Sequence, residues 1–437
     1  MVYLKCMVIG ELFTAPVAHI APGGAGIARV KGQTVFIDFT APGDLATGRI
    51  TEAHRGWGRA ELVELAESSP LRILPACPLY GICGGCSLQH LSYEAQINEK
   101  KAIVGEVFSR IGRFPDLPPI TVRLSPPLEY RNRMQFHRVL PLPPGQKRRG
   151  NRLRERRPAL GFKARKSGEI IPIPDCPAAV PELRRALREG ALTPPPEKDR
   201  FTVYARGETF LHEGGRRRGK VRLLDRELTL DAGVFFQSNG GVLGTLIQDI
   251  RRIAARAEGD LPMADIYCGV GTFGAFLADR FSRIDLIEEN KTALDLAREN
   301  VRGKGAAYYA QPSDLWVKTR AAQGSGGKPG KPPYGFIVVD PPREGLSAGI
   351  RDWLSQEGPP LLAYVSCDPA TLARDSRDLA EGGGYGLREL TLYDFYPQTA
   401  HIETLAVFQR ENPNPARARR EAFIPRKDKK AEAPGET

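Results

Sequence analysis

The fold is decided by the stretch Met263-Ala264-Asp265-Ile266-Tyr267-Cys268-Gly269-Val270-Gly271-Thr272-Phe273-Gly274. Its apolar first half predicts a β-strand, and glycines with the spacing G-x-G-x-x-G open the helix predicted after it. This spacing permits a tight turn and lets a ligand approach the backbone. Glu288 ends the next predicted strand, where a carboxylate can hold ribose hydroxyls. The stretch therefore predicts an adenosine-containing ligand, and a dinucleotide oxidoreductase and a methyltransferase both remain open.

Apolar strand-like runs alternate with helical stretches on the C-terminal side of this segment. The further runs are Arg283–Ile287, Gly335–Val339 and Leu361–Val365. Such alternation is typical of a doubly wound, Rossmann-like α/β domain, which we predict for residues 226–410. Two further segments are predicted to lack regular structure: a flexible loop at Gln323–Pro333 and a disordered basic tail at 411–437.

The first 66 residues have a different pattern. Turn residues separate five predicted strands: Val8–Leu12, Ile27–Val30, Thr34–Asp38, Asp44–Glu52 and Arg59–Leu65. Five short strands in residues 1–66 favour a small closed β-barrel of the OB type, which commonly binds nucleic acid. Residues 67–225 predict a central β-rich domain. Its one clear helical pattern, Tyr93–Gly112, is a candidate to pack on the catalytic domain.

The chain of 437 residues is basic, with a net charge of +12. Basicity on this scale favours a polyanionic partner, because phosphate contacts release condensed counterions. Two clusters, Lys147–Arg157 and Arg216–Lys220, fall in the central region and predict a phosphate-binding surface. No apolar run approaches the length of a membrane span, and no cleavable leader is evident at the N-terminus. We therefore expect a cytoplasmic protein with no membrane partner and no obligate protein partner.

Three segments carry reactive side chains, two of them at the ends of predicted strands. Asp340-Pro341-Pro342-Arg343 ends an apolar strand, and its prolines would stiffen a loop that closes over a planar base. Cys367 also ends a strand, directly before a predicted helix, so its thiol faces the ligand edge rather than the core. His401-Ile402-Glu403 offers an imidazole and a carboxylate for proton transfer.

These motifs occur in the order seen in the TrmA/RumA family of class I RNA (uracil-C5)-methyltransferases, which the chain resembles over residues 5–410. The resemblance rests on Tyr267–Phe273, Asp340–Gly345, Val365–Asp375 and His401–Glu403, with Phe235–Asn239 ahead of them. It implies that S-adenosylmethionine is the methyl donor, that Cys367 is the covalent nucleophile and that Glu403 is the base. It also implies a cofactor and substrate pocket lined by Gln237, Tyr267, Thr272, Glu288, Asp314 and Asp340.

The chain departs from the family pattern at two positions. Gln398 stands where the family usually has histidine, and Thr272 stands where asparagine is common. Neither departure removes a reacting group.

Four cysteines remain for one metal centre: Cys77, Cys83, Cys86 and Cys176. Seven cysteines in a chain of this kind do not suggest a disulfide framework. Zinc also accepts four thiolates, although its ribbons usually have paired C-x2-C knuckles. The spacing Cys77-x5-Cys83-x2-Cys86, with Cys-Pro sequences at both ends, favours a [4Fe-4S] cluster, and resemblance to RumA-like proteins implies the same.

The N-terminal barrel resembles the TRAM domain, an RNA-binding module. The combination of a TRAM domain and a cysteine centre resembles the branch of the family that acts on ribosomal RNA. We therefore expect C5 methylation of a uridine in 23S ribosomal RNA. The same reaction on transfer RNA is an alternative. A nicotinamide-dependent oxidoreductase would leave Cys367 and Glu403 without roles, and a non-catalytic RNA-binding protein would leave the glycine loop without one.

Overall fold

A computed structural model describes residues 7–139, 160–195, 197–302, 305–322 and 333–411 of the chain. Three predictions fall outside these ranges. They are the basic cluster Lys147–Arg157, the flexible loop apart from Pro333, and the tail from residue 412 onward.

The N-terminal strands close into a barrel with the order β1-β2-β3-β5-β4. The strands are β1 (Leu12–Ile20), β2 (Gly26–Val30), β3 (Gln33–Ile37), β4 (Leu45–Ala53) and β5 (Trp57–Glu67). Alternate residues such as Val35 and Ile37 point inward and are fully buried, as the two-residue period of a strand requires. The prediction of a first strand at Val8–Leu12 was wrong. Its place is taken by β1, whose Pro16 is tolerated because it lies at the end of the β1–β4 pairing.

One helix and one strand follow the cysteine-rich segment, and both join the catalytic half of the molecule. Helix α1 (Tyr93–Arg110) begins at Ser92, whose side chain accepts a hydrogen bond from the backbone N–H of Ala95. Its buried face shares one apolar core with the C-terminal sheet. Strand β6 (Ile120–Arg123) pairs in parallel with a strand of that sheet. The central region is therefore not contiguous along the chain.

The central region is built on a five-stranded sheet with the order β11-β10-β7-β8-β9. Its elements are β7 (Arg133–Arg138), β8 (Leu160–Lys163), β9 (Ile170–Pro172), α2 (Pro181–Arg188), β10 (Arg200–Arg206) and β11 (Thr209–His212). A hairpin follows, formed by β12 (Arg218–Leu223) and β13 (Arg226–Asp231). The domain boundary predicted after residue 225 falls in the turn of this hairpin, and the hairpin packs with the catalytic core.

The C-terminal part is a doubly wound α/β unit whose helices cover both faces of one sheet. Its elements are α3 (Gly240–Ala254), β14 (Met263–Ile266), α4 (Thr272–Leu277), β15 (Ile284–Glu288), α5 (Lys291–Asn300), β16 (Ala306–Ala310), α6 (Ser313–Ala322), β17 (Phe336–Val339), α7 (Ala348–Glu357), β18 (Leu361–Ser366), α8 (Pro369–Gly383), β19 (Tyr385–Tyr393) and β20 (Glu403–Arg410). The strand order is β16-β15-β14-β17-β18-β20-β19-β6. The predicted class and the four predicted strands are confirmed. In the part of the chain that the structure describes, no helix is both long and apolar enough to cross a membrane.

Candidate active site

The candidate active site lies at the carboxyl edge of the parallel strands. The strand order reverses between β14 and β17, and a crevice for ligands opens at such a switch point. Tyr267, Asp340 and Cys367 directly follow β14, β17 and β18, and Glu288 is the last residue of β15. The same edge therefore collects side chains that are far apart in the sequence.

A cavity of about 1070 Å³ occupies this edge. It is lined by every residue predicted for the reaction and for the cofactor pocket: Cys367, Glu403, Gln237, Tyr267, Thr272, Glu288, Asp314 and Asp340. The volume is large enough for a nucleoside-sized ligand.

Cys367 and Glu403 meet because β18 and β20 are antiparallel. Ser366 is paired with Thr404, and continuing this register by one residue sets Cys367 across from Glu403. Opposed residues in antiparallel strands have Cα atoms about 4.5–5.5 Å apart. The antiparallel insertion of β20 thus brings a thiol and a carboxylate to the same end of the cavity.

Two buried carboxyl groups and the thiol influence one another. Burial raises the pKa of Asp340 to about 7. Burial, reinforced by the charge of Asp340, raises the pKa of Glu403 well above its usual value. Burial also raises the pKa of Cys367 to about 11, and the carboxylates of Glu403 and Asp340 add to the increase, while Arg343 opposes it. The protein without ligands therefore disfavours negative charge at this end of the cavity.

Arg343 and His401 form the outer wall of the same end. Nη2 of Arg343 lies 3.2 Å from Nδ1 of His401, in reach to donate a hydrogen bond to a neutral imidazole. Burial lowers the pKa of His401 to about 4, and the positive charge of Arg343 lowers it further. The imidazole is thus neutral at neutral pH and is a weak base.

The glycine loop shapes the other end of the cavity. Gly269 has φ +54, and a methyl group added there would meet nothing within 4 Å, so the backbone is open toward the cavity. Gly271, with φ +77, packs closely on Ala297 of α5. Tyr267 also adopts φ +65. This conformation is costly for any residue other than glycine, and such conformations are concentrated at functional sites.

Polar groups at this end suit an adenosine-containing ligand. Glu288 accepts hydrogen bonds from the backbone N–H groups of Gly269 at 3.0 Å and Asn290 at 2.8 Å, which orients its carboxylate at the end of β15. The carboxylate of Asp314 accepts a bond of 2.6 Å from the hydroxyl of Ser347. Oε1 of Gln237 is buried without a hydrogen-bond partner, which is costly unless a ligand supplies a donor.

Two residues at or beside the site were missed by the sequence analysis. Asp265 lies beneath the glycine loop, where its carboxylate accepts a bond from the backbone N–H of Gly274, and burial raises its pKa to about 7. An acid in an otherwise apolar strand was a signal that could have found it. Arg131 lines the cavity, with its guanidinium 6.0 Å from the ring centre of Tyr396. No pattern in its sequence neighbourhood pointed to it.

The four predicted ligand cysteines line a second cavity, of about 710 Å³, beside the first. Gly84, Gly85 and Arg131 line both cavities and form the wall between them. Burial raises the pKa of Cys86 to about 12 and also raises the pKa values of Cys83 and Cys176. Within the described ranges, no group of three or more His, Cys, Asp or Glu side chains has the arrangement that holds a metal ion.

An exposed aromatic group lies on the outer face of the barrel. The rings of His54 and Trp57 stack with centroids 4.1 Å apart, and Phe36 meets Trp57 edge-on at 6.1 Å. The guanidinium of Arg59 lies 6.0 Å from the ring centre of Phe36. Exposed aromatic rings next to arginine are the features that bind unpaired RNA bases.

The second basic cluster is largely paired with acids. Arg217 contacts Asp231 at 3.0 Å, Arg218 contacts Glu299 at 2.6 Å, and Lys220 contacts Glu227 at 3.5 Å; all three cations are exposed. Exposed ion pairs are worth little and can exchange partners, so a phosphate could still compete for these cations. The free positive charge of this surface is nevertheless smaller than the sequence suggested.

Two parts of the chain match known families. Residues 9–63 match the TRAM domain, and residues 333–411 match the family described as tRNA (Uracil-5-)-methyltransferase. The second match covers Asp340, Cys367 and Glu403.

Whole-length relatives agree with these matches. The chain is 31% identical to an uncharacterized RNA methyltransferase of Treponema denticola, over 89% of this chain and 96% of that protein. It is also 31% identical to the 23S rRNA (uracil(1939)-C(5))-methyltransferase RlmD of Chromohalobacter salexigens, over 91% of this chain and 89% of that protein. Among solved structures, the tRNA (uracil-54, C5)-methyltransferase of Pyrococcus abyssi in complex with S-adenosyl-L-homocysteine has a TM-score of 0.63 at 22% identity, covering 90% of this chain and 99% of that one. This last likeness bears on the fold.

Proposed function

This chain belongs to the family of S-adenosylmethionine-dependent RNA (uracil-C5)-methyltransferases, and from that premise we propose the roles of its residues and its substrate. Cys367 is the nucleophile, Glu403 is the base, and a uridine of 23S ribosomal RNA receives the methyl group. The observation that carries the assignment of residues is that Cys367 and Glu403 line one cavity, next to the paired residues Ser366 and Thr404 of β18 and β20.

The first step activates a carbon that is a poor nucleophile. The Cys367 thiolate adds to C6 of the uracil, and the π electrons move through C4 onto O4 to give an enolate. C5 of the enolate then takes the methyl group from the sulfonium of S-adenosylmethionine. A base stacked in a helix does not expose C6 to a thiol, so the uridine must be unpaired or flipped out of the stack.

The second step releases the product. Glu403 removes the proton from C5, the C5–C6 double bond forms again, and the C6–S bond breaks so that Cys367 leaves as a thiolate. The carboxyl group must be ionised when it accepts this proton. Its raised pKa makes it a stronger base than an exposed glutamate.

Six residues are proposed to hold the cofactor and orient the base. Glu288 has the position for the ribose hydroxyls, and the open backbone at Gly269 gives the cofactor room. Gln237 offers an unpaired buried carbonyl oxygen to a donor on a ligand. The other residues proposed for this pocket are Tyr267, Thr272, Asp314 and Asp340.

Substitution of the thiol tests the assignment. Cys367→Ala should form no covalent adduct with RNA and no 5-methyluridine, yet it should bind S-adenosylmethionine, as measured by calorimetry. Cys268→Ala is the matched control, because it removes a buried thiol of the same cavity for which the reaction has no use. Product formation by Cys367→Ala would refute the proposal.

Two observations favour ribosomal RNA as the substrate. Several whole-length relatives carry the name 23S rRNA methyltransferase, and a TRAM domain precedes the catalytic part. The family description of residues 333–411 and the name of the archaeal structure refer to transfer RNA, so the same reaction on transfer RNA is the second candidate. Mapping of 5-methyluridine in both RNAs from a strain that lacks the gene distinguishes them.

We also propose that Cys77, Cys83, Cys86 and Cys176 hold a [4Fe-4S] cluster. All four line one cavity of about 710 Å³. A single tetrahedral zinc ion needs its four sulfurs about 3.8 Å apart, since each Zn–S bond is about 2.3 Å. A cubane of four irons separates its ligand sulfurs further and needs more space, which suits four thiols that line one cavity of this volume. The cluster would fasten the cysteine segment beside the substrate cavity.

A further inference from the structure

The loop between β19 and β20, residues 394–402, leads directly into Glu403. Gln398 lies in its middle, with only 6% of its surface exposed, and it does not line the substrate cavity. Its φ is +67, a conformation that a glutamine adopts only when its surroundings impose it. Gln398, which stands where the family usually has histidine, therefore affects how the loop is held and does not contact the uracil.

Gln398 is paired with Gln96 of α1 through both amide groups. Nε2 of Gln96 donates to Oε1 of Gln398 at 3.0 Å and to the carbonyl of Leu91 at 3.0 Å. The backbone N–H of Gln398 donates to Oε1 of Gln96 at 2.9 Å, and Nε2 of Gln398 donates to the carbonyl of Pro127 at 3.2 Å. Buried polar networks that are satisfied in this way fix one geometry.

The cysteine segment holds the same loop from the other side. The backbone N–H groups of Ser87 and Leu88 both donate to the carbonyl of Gln398 at 3.0 Å. The hydroxyl oxygen of Ser87 accepts a bond of 3.0 Å from the N–H of Ala400. Ser87 directly follows Cys86. A methyl group added to Gly24 of the barrel would lie 3.0 Å from this hydroxyl, so the barrel packs on the junction as well.

We propose that Gln398, together with Gln96 and Ser87, is a positioning residue that places the carboxylate of Glu403 for removal of the C5 proton. This inference rests on the function proposed above. Glu403 lies three residues beyond Ala400, so the bonds at Gln398 and Ala400 fix the point from which β20 starts. Cys367 has a second support that does not involve the loop, because Asp368 caps α8 through the N–H groups of Ala370 and Thr371.

The loop bonds lie on the side of Glu403, and the cap of α8 supports Cys367 without them, so the effect should fall on one step. Loss of the loop bonds should leave addition of Cys367 to C6 and transfer of the methyl group intact. It should slow the removal of the C5 proton. In that step the electrons of the C5–H bond re-form the C5–C6 double bond, and the C6–S bond breaks to expel the thiolate. A displacement of about 1 Å can cost roughly 100-fold in rate. The methylated covalent adduct should therefore accumulate.

The test uses the full-length holoprotein and unmodified 23S ribosomal RNA transcribed in vitro. The first variant is Gln398→Met, which keeps the length of the side chain. The second is Ser87→Ala, which removes one hydrogen bond. If Gln398→Met does not fold, Ser87→Ala decides the test. Tyr385→Phe is the matched control, because it deletes a buried bond of 2.7 Å at the opposite end of β19. We expect release from the adduct to slow by roughly 10- to 100-fold in the two loop variants and not in the control.

Three kinetic results would overturn the inference. They are wild-type release rates in a folded Ser87→Ala, an equal loss of methyl transfer and release without adduct, and adduct accumulation in Tyr385→Phe. Amide hydrogen exchange provides a readout that does not need the reaction: the N–H of Ala400 should lose protection in Ser87→Ala. Unchanged protection would refute the fastening even in an active enzyme. A wild-type protein that methylates neither 23S ribosomal RNA nor transfer RNA would refute the proposed function instead, whatever hydrogen exchange shows.

Discussion

Replacement of Glu403 by glutamine should stop the reaction after methyl transfer and before release. The substituted side chain has the same shape and remains able to make hydrogen bonds. Because burial and Asp340 already disfavour the charged carboxylate, a neutral amide should cost the fold little. Addition by Cys367 needs no proton from position 403, so the covalent bond to C6 should still form.

The size of the effect follows from the role of a general base. Such a base accelerates a proton transfer by roughly 10²- to 10⁴-fold, which is equivalent to about 3 to 5 kcal/mol of activation free energy. Release then becomes slower than addition, and most of the enzyme should be held as the adduct at steady state. In the wild-type enzyme, lowering the pH should have a related effect, because Glu403 must be ionised and its pKa is raised.

The assay is denaturing electrophoresis of the protein after reaction with labelled RNA and S-adenosylmethionine. Glu403→Gln should give a slowly migrating band that carries the methyl label, and Cys367→Ala with Glu403→Gln should give none. His401→Ala should not give the band, since an imidazole with a pKa of about 4 is too weak a base for this proton. A folded Glu403→Gln that traps no RNA, or that turns over normally, would refute Glu403 as the base.

Four further results are expected. Protein purified without oxygen should contain about four irons and four sulfides per chain, and Cys86→Ser should lose them; stoichiometric zinc would contradict this. Trp57→Ala should weaken RNA binding and leave the affinity for S-adenosylmethionine unchanged, as measured by filter binding, and wild-type binding should fall steeply with salt. Lys100→Met should lower the free energy of unfolding by about 3–5 kcal/mol, because it leaves the fully buried Asp394 without its ion-pair partner at 2.6 Å; the double replacement Lys100→Met with Asp394→Leu should recover most of the loss in chemical denaturation. Burial raises the pKa of Asp265 from 3.8 to about 7, so its contribution to the free energy of unfolding is fully present below about pH 4 and is lost as the pH rises through 7. Asp265→Asn should remove this dependence, which amounts to up to about 4 kcal/mol, from the free energy of unfolding measured against pH.

The catalytic strands could be predicted because their signals are local. Met263–Ile266 is a fully buried strand that is apolar except for Asp265, and the glycines after it permit a tight turn. Residues at the carboxyl ends of parallel strands must share one edge, so the proximity of Glu288, Asp340 and Cys367 followed from the alternation of strands and helices.

The position of Glu403 could not be derived in this way. It is the first residue of β20, which enters the sheet antiparallel to its neighbours, and no spacing in the sequence fixes that direction. The residue types suggested proton transfer, but only the resemblance to a known family implied that Glu403 is the base. Arg131 was missed for a similar reason, since it reaches the site from a distant part of the chain. In the barrel, the first strand was predicted too early in the chain: β1 is Leu12–Ile20 and contains Pro16, a residue type that is uncommon inside strands.

Charge runs were the least informative signal. Arg217, Arg218 and Lys220 suggested a phosphate-binding surface, but their carboxylate partners come from other elements and were invisible in the local sequence. The aromatic group around Trp57 was also overlooked. Phe36 is distant along the chain from His54, Trp57 and Arg59, and it meets them only when β3 and β5 pair.

Strand β6 determines when the catalytic sheet can be completed during synthesis. It pairs with β19 across more than half of the chain, and it covers what would otherwise be an exposed edge. A nascent chain therefore carries Ile120–Arg123 out of the ribosome long before the partner strand exists, so the final pairing has to wait for nearly the whole polypeptide. A fragment that begins at residue 226 would expose the edge of β19 and should aggregate. The catalytic part therefore depends on the segment that precedes it for the last strand of its sheet.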